Sequence, residues 1–339
     1  MGFFQNPIPP TSQATDLTGQ TIIVTGASAG LGYEASLQFL RLKASTLILA
    51  VRNIEKGKGA RDAMLADSEV KCLNPKADVR VMRLDLVDFQ SVCEFAGHVL
   101  EEVQDLHVLL LNAGINLAHF EKSPAGHEML MQVNYLSNAL LSLLLLPLLQ
   151  KTSKSSRTRL QTPTITFVGS LAQAFNSLSR SNLHHHSSRI LPYFSDPARY
   201  SRFSRYPDSK FFVALFVREM AKHVGNDDGD GPVAVTVNNV CPGTCDTKAD
   251  DNLPFYLRIP MNMNRRLRAR SVQEGARTLV FAATGVGMAG NGAYLADNVV
   301  SPLAPYAYTD AGIVFGQKLW KETVEMAVEV DRRAGDGIV

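Results

Sequence analysis

The sequence predicts an α/β protein built on one doubly wound, mostly parallel seven-stranded sheet with helices on both faces. Three observations carry that prediction. Short β-branched runs alternate with longer helical periodicity four times before residue 115, the pattern of a parallel sheet rather than of segregated layers. A glycine-rich turn stands directly between the first strand run and the first helical run. The run 105–111 is almost continuously apolar, as a strand covered on both faces requires.

In order, residues 1–19 read as an extended arm rich in Pro, Gln and Thr, and residues 20–339 as a single domain. Thr21–Thr25 is the first strand, followed by Gly26, Ser28, Gly30, Leu31 and Gly32 in a Gly-x-x-x-Gly-x-Gly turn and a helical pattern to about residue 42. Strand, glycine turn and helix start in succession suit a pyrophosphate, because backbone can approach it closely and the helix N-terminus offers free N–H groups. The second strand, Thr46–Val51, ends in Arg52 and Asn53. An enzyme that prefers NAD usually carries an acid there; a cation favours a 2′-phosphate, hence NADP. Arg52 as a solvated loop charge is the alternative, and Lys56 could share the task.

Helix 55–68, strand 79–84 and a turn at Asp85 and Leu86 come next, with Asp85 a candidate for the adenine and Asp88 a helix cap. The fourth strand ends in Asn112, Ala113 and Gly114, small residues against which a flat ligand can lie. A helix over 126–150 carries Asn134; 151–159 reads as a loop; Thr164–Val168 is the fifth strand and leads to Ser170 at a C-terminal strand edge. Periodicity then fails over an insertion, 171–205, that contains His184, His185 and His186. No Cys or carboxylate cluster stands near those histidines, and no metal site is assigned. A helix from Tyr206 to about residue 224, a strand over 233–237, the Pro242-Gly243 turn with Thr247 nearby, and an irregular loop, 244–270, follow. Apolar side chains interleaved with Arg make that loop a candidate lid. A helix over 271–284, a last strand over 292–295, a proline-bearing tail and a closing helix over 317–330 complete the chain.

Tyr206 and Lys210 stand four apart, so if Pro207 opens a helix they share one face. A phenol ordinarily titrates near pH ~10, but a cation about 4 Å away at an effective dielectric of ~20 favours phenolate by about 4 kcal/mol. Such a tyrosine can donate and accept a proton at neutral pH.

Composition narrows the function. Lys plus Arg total 34 against 32 for Asp plus Glu, a net charge of +2, which gives no footprint for nucleic acid. Cys72, Cys93, Cys241 and Cys245 lack zinc-site spacing and are too few for a disulfide scaffold. Reduced thiols in a cytoplasmic protein are expected. No secretory signal or N-terminal anchor is expected either, and Asn6 stands where myristoylation after Gly2 wants Ser or Thr. The apolar stretch 136–149 contains Ser137, Asn138, Ser142 and Pro147 and reads as a helix buried within or between subunits rather than a membrane span.

Together these pieces resemble the short-chain dehydrogenase/reductase family over about residues 18–300, with Arg52-Asn53 and the long insertion most like its retinol dehydrogenase branch. The stretch from Thr25 to Gly32 looks like the family's coenzyme motif, Asn112-Ala113-Gly114 like its Asn-Ala-Gly signature, and Tyr206 with Lys210 like its Tyr-x-x-x-Lys pair. Asn134 and Ser170 occupy the places of its remaining catalytic residues, and Pro242-Gly243 with Thr247 looks like the segment that grips the nicotinamide. The resemblance implies a Rossmann-type fold and an NADPH-dependent carbonyl reductase, reversible as an alcohol dehydrogenase. Its expected substrate is a lipophilic ketone or aldehyde, aromatic or polyketide-like, as in secondary metabolism. Tyr206 is the expected acid/base, Ser170 the holder of the carbonyl oxygen, Lys210 the partner of the tyrosine and the ribose, and Asn134 the keeper of a water relay. A C=C reductase of the same fold and a non-catalytic NADP-binding regulator are the alternatives. Assembly as a homodimer through the helices 126–150 and 206–224, or as a monomer whose insertion covers them, is left open.

Overall fold

The apolar runs pair into one sheet in a computed structural model that describes residues 5, 7–12, 15–155, 162–178, 189–224, 235–245 and 269–338. His184, His185, His186, Thr247 and most of the loop 244–270 lie outside the described residues. The strands are β1 (Thr21–Thr25), β2 (Thr46–Val51), β3 (Asp78–Arg83), β4 (Val108–Leu111), β5 (Thr164–Val168), β6 (Thr236–Cys241), β7 (Tyr294–Ala296) and β8 (Val299–Ser301), in the order β3-β2-β1-β4-β5-β6-β7-β8. All neighbours are parallel except β7 and β8.

Among the described residues the sheet has eight strands, one more than the seven expected. The extra strand falls where the sequence predicts a proline-bearing tail. It is reached through Asp297 and Asn298, both at positive φ (54° and 61°), the two-residue turn whose twist suits a hairpin. Strand β6 runs on past the predicted end at 237 to Cys241, so Asn238 and Asn239 lie buried inside it rather than beyond it. Asn238 fits there because its Nδ2 donates to the Ala282 carbonyl at 2.8 Å.

The helices are α1 (Gly30–Arg41), α2 (Ile54–Ala66), α3 (Ser68–Leu73), α4 (Phe89–Glu102), α5 (Met129–Ser155), α6 (Ile190–Phe194), α7 (Arg205–His223), α8 (Val272–Thr284) and α9 (Asp310–Val330). Side chains cap several of them: Asn53 accepts from Lys56 N–H, Asp88 from Gln90 N–H and Ser271 from Glu274 N–H. Strand residues alternate between two cores. Ile22, Val24, Leu47 and Leu49 pack beneath α1 and α8, while Ile23, Ile48 and Leu109 face the layer of α4, α5, α7 and α9.

Helix α5 is long and apolar enough to cross a membrane by composition, yet it is wholly buried in the chain. Leu140, Leu141, Leu143, Leu144, Leu145, Leu146, Leu148 and Leu149 are all covered by the same chain, so the burial expected of the stretch 136–149 is met within one chain. Helices α4 and α9 pack against it. Helix α9 begins seven residues before the predicted start at Gln317, since Thr309 accepts from Gly312 N–H as its cap.

Candidate active site

Below the first strand turn, geometry explains the glycines. Gly26 has a φ of 68°, a region costly for other residues. At Gly32 a Cβ would stand 2.5 Å from both Asn112 Nδ2 and the Gly26 carbonyl oxygen. Asn112 itself locks the turn, its Nδ2 donating to the Thr25 carbonyl at 2.9 Å while Ala113 N–H donates to Thr25 Oγ1 at 2.9 Å. Above Gly30 the space is open, with nothing within 4 Å of where a Cβ would be, and Ala29 gives α1 no side-chain cap. The first N–H groups of α1 thus face room for an anion.

Arg52 ends β2 exposed to solvent. Asn53 next to it is engaged as the cap of α2. Asp85 is half-buried and turned inward, its Oδ1 accepting from Val87 N–H at 3.2 Å, while the Leu86 carbonyl accepts from Ser137 Oγ at 2.6 Å.

Asn134, Gly114 and Lys210 meet at the centre. A Cβ on Gly114 would lie 3.0 Å from Asn134 Oδ1 and 3.6 Å from Lys210 Nζ. Asn134 sits in a π turn, Gln132–Leu136, that interrupts α5, a distortion common at functional sites. Its Oδ1 accepts from Ile115 N–H at 2.8 Å, and its Nδ2 donates to the Ile115 carbonyl at 3.0 Å and to Ser209 Oγ at 3.1 Å. Both amide hydrogens are thereby engaged within the protein, so the side chain expected to keep a water relay has no free donor for it.

Helix α7 starts at Arg205, one residue earlier than predicted, and Pro207 occupies its first turn, where no backbone donor is required. Tyr206 is half-buried, and Lys210 Nζ lies 5.8 Å from the centre of its ring. Lys210 is buried; its Nζ donates to the Val168 carbonyl at 2.9 Å. Burial pushes its pKa down to about 8, with the nearby Cys241 opposing. Ser170, just beyond β5, caps the 3₁₀ helix Leu171–Phe175, its Oγ accepting from Ala172 N–H at 3.1 Å. That bond uses an oxygen lone pair and leaves the hydroxyl hydrogen to donate.

Other contributors carried no local signal. Cys241, a buried thiol whose pKa burial raises, accepts from Leu171 N–H at 3.2 Å and Gly243 N–H at 3.3 Å, joining the Ser170 turn to the Pro242-Gly243 turn. Gln5, in the arm where no motif is visible, pairs its amide with the Thr244 backbone in both directions, at 3.0 and 2.9 Å. Among the described residues no group of His, Cys, Asp and Glu could hold a metal ion.

Strand order, glycine cradle and a buried lysine beneath a tyrosine define an α/β oxidoreductase built around a nicotinamide coenzyme. The short chain dehydrogenase family profile matches residues 20–173. The chain is 41% identical over 336 residues to the short chain dehydrogenase sor7 of Hypocrea jecorina, covering 99% of this chain and 90% of that protein. It is 39% identical over 324 residues to the short-chain dehydrogenase/reductase tropG of Talaromyces stipitatus, covering 95% of each. The chain belongs to the short-chain dehydrogenase/reductase family. Its fold also matches a solved structure of an uncharacterised protein from Mycobacterium paratuberculosis, with a TM-score of 0.63, 22% identity and coverage of 94% of this chain and 98% of that one.

Proposed function

We propose that this oxidoreductase is an NADPH-dependent carbonyl reductase, reversible as an alcohol dehydrogenase, that acts on a lipophilic ketone or aldehyde. The observation that carries the reading is Lys210, a buried cation beneath Tyr206 on one face of α7. The cradle fits the coenzyme, since the space over Gly30, the uncapped start of α1 and the shaved surface at Gly26 and Gly32 suit a pyrophosphate. Arg52 is exposed at the end of β2 and, among the described residues, has no ion pair, which supports a 2′-phosphate and so NADP.

When bound, NADPH supplies the hydride that reaches the carbonyl carbon. Ser170 donates its hydroxyl hydrogen to the carbonyl oxygen, and Tyr206 gives that oxygen its proton. Lys210 keeps the phenol ready to part with the proton by favouring the phenolate left behind. Asn134 fixes the end of β4 against α7 through Ile115 and Ser209. Two exposed aromatics support a lipophilic substrate: Phe175 closes the 3₁₀ helix that Ser170 opens, and Phe203 precedes Tyr206 by three positions. The covered faces of α5 and α7 support a chain that does not pair through them.

Tyr206→Phe tests the reading. It is expected to lower NADPH-dependent turnover across a panel of aromatic and aliphatic ketones and aldehydes by about 10²–10⁴-fold with coenzyme affinity retained. Full turnover in that variant removes Tyr206 as the acid, and a product reduced at C=C instead of C=O replaces the reaction class.

A further inference from the structure

Asp208 lies on the first turn of α7, two residues beyond Tyr206 and two before Lys210, and is 1% exposed. An acid at that position usually stays in water, where it complements the helix dipole. Here the carboxylate is turned away from its own helix. Its Oδ1 accepts from the Ser177 N–H at 2.6 Å and its Oδ2 from the Ser177 hydroxyl at 3.0 Å. Ser177 follows the 3₁₀ helix that begins at Ser170.

Burial pushes the Asp208 carboxyl up to about 6, against the bonds from Ser177 and the charge of Arg205, which favour ionisation. Arg205 is itself buried, 3.9 Å from the buried Glu128 and 4.9 Å from the Phe194 ring. An acid retained in so dry a place has a specific partner to hold, and that partner is Ser177.

Three ties fix the segment 170–177. Leu171 N–H reaches Cys241 Sγ, Gln173 Oε1 accepts from Ala304 N–H at 2.9 Å, and Ser177 reaches Asp208. Of these three hydrogen-bonded ties the last reaches the helix that carries Tyr206 and Lys210, against which the 3₁₀ helix Leu171–Phe175 also packs. We propose that Asp208 is a positioning residue: through Ser177 it fixes the Ser170 turn against α7, and so sets where the Ser170 hydroxyl stands relative to the Tyr206 phenol. This inference rests on the carbonyl reductase reading for its kinetic consequence but not for its structural one.

The test pairs amide hydrogen exchange of the peptide 169–178 with steady-state kinetics in Asp208→Ala, Asp208→Asn and Ser177→Ala proteins. In Asp208→Ala the peptide is expected to exchange at least about tenfold faster while peptides of β5 and the rest of α7 keep their protection. The same variant should lose about 10- to 100-fold in kcat, with the NADPH KM within about twofold of wild type. Asp208→Asn, which retains an acceptor for the Ser177 N–H, should restore most of the protection and of kcat. Unchanged exchange in Asp208→Ala, or faster exchange spread evenly over the chain without rescue by Asn, overturns the proposal. Should Asp208→Ala not fold, Ser177→Ala decides: local loosening of 169–178 supports the role, and wild-type exchange overturns it. Absence of carbonyl turnover in the wild type would sink the reductase reading alone, because exchange still reports on Asp208.

Discussion

On the β1–β4 side of the sheet the candidate coenzyme cradle is made of backbone and small residues, whereas on the β5–β6 side the reacting groups sit among buried ionisable side chains. The first side works by exclusion: Gly32 leaves no room for a Cβ and Gly26 takes a positive φ, while Asn112 answers the Thr25 carbonyl and Thr25 the Ala113 N–H. The second holds Lys210, Asp208, Arg205 and Glu128 nearly dry, each at a desolvation penalty. Binding a rigid dinucleotide demands shape, while moving a proton demands charge in a place water does not reach. Substitutions on the two sides should therefore affect stability in opposite directions while both reduce activity.

Lys210→Met gives the largest expected effect. Without its cation Tyr206 loses the group that favours phenolate, and turnover should fall on the order of 10²–10³-fold. Stability should not fall with it. A lysine lowered from its ordinary 10.5 to about 8 forgoes about 3 kcal/mol at neutral pH, against about 1–3 kcal/mol for the lost bond to the Val168 carbonyl. The sign follows from proton counting. Between about 8 and 10.5 the unfolded chain binds more protons at this site than the folded one, so wild-type stability gains from this group as pH rises through that window. Turnover moves the other way, falling as pH rises through about 8 and Lys210 loses its charge. Denaturant melts at several pH values, beside a pH–rate profile, check both; a Lys210→Met protein far less stable than wild type would break the comparison.

Gly32→Ala probes the opposite side. Its methyl would press on the Gly26 carbonyl, which is backbone and cannot swing aside, so a loss of about 1–3 kcal/mol is expected. NADPH affinity should drop with it, read by fluorescence titration.

The same division decides what could be read from the chain alone. The cradle and the first four strands were legible because their signals are local: β-branched runs, a glycine turn, and small residues at a strand end. Tyr206 with Lys210 was legible for the same reason, being one helical turn. The seventh-to-eighth strand hairpin was missed because Val299–Ser301 is three residues long and its Asp-Asn turn resembles any loop. Asp208 and Ser177 are 31 positions apart, and Gln5 and Thr244 are 239 apart; only folding reveals such pairs. Asn238 misled because a polar residue in a buried strand can be satisfied by a distant carbonyl, here Ala282.

Arg52→Glu carries the smallest expected effect, since it changes a solvent-exposed contact at the rim of the cradle. A carboxylate there repels a 2′-phosphate and can accept from a 2′-hydroxyl, so the ratio of NADPH to NADH efficiency should fall about 10- to 100-fold, the worth of one or two charged hydrogen bonds. Folding should be indifferent, because Arg52 forms no ion pair among the described residues and Asn53 keeps its cap on α2. An unchanged coenzyme ratio would move the recognition of the phosphate to Lys56, one turn into that helix, and a Lys56→Glu protein would then show the fall. Either outcome keeps the cradle a matter of shape with one charge at its edge, in contrast to the buried charges on the far side of the sheet.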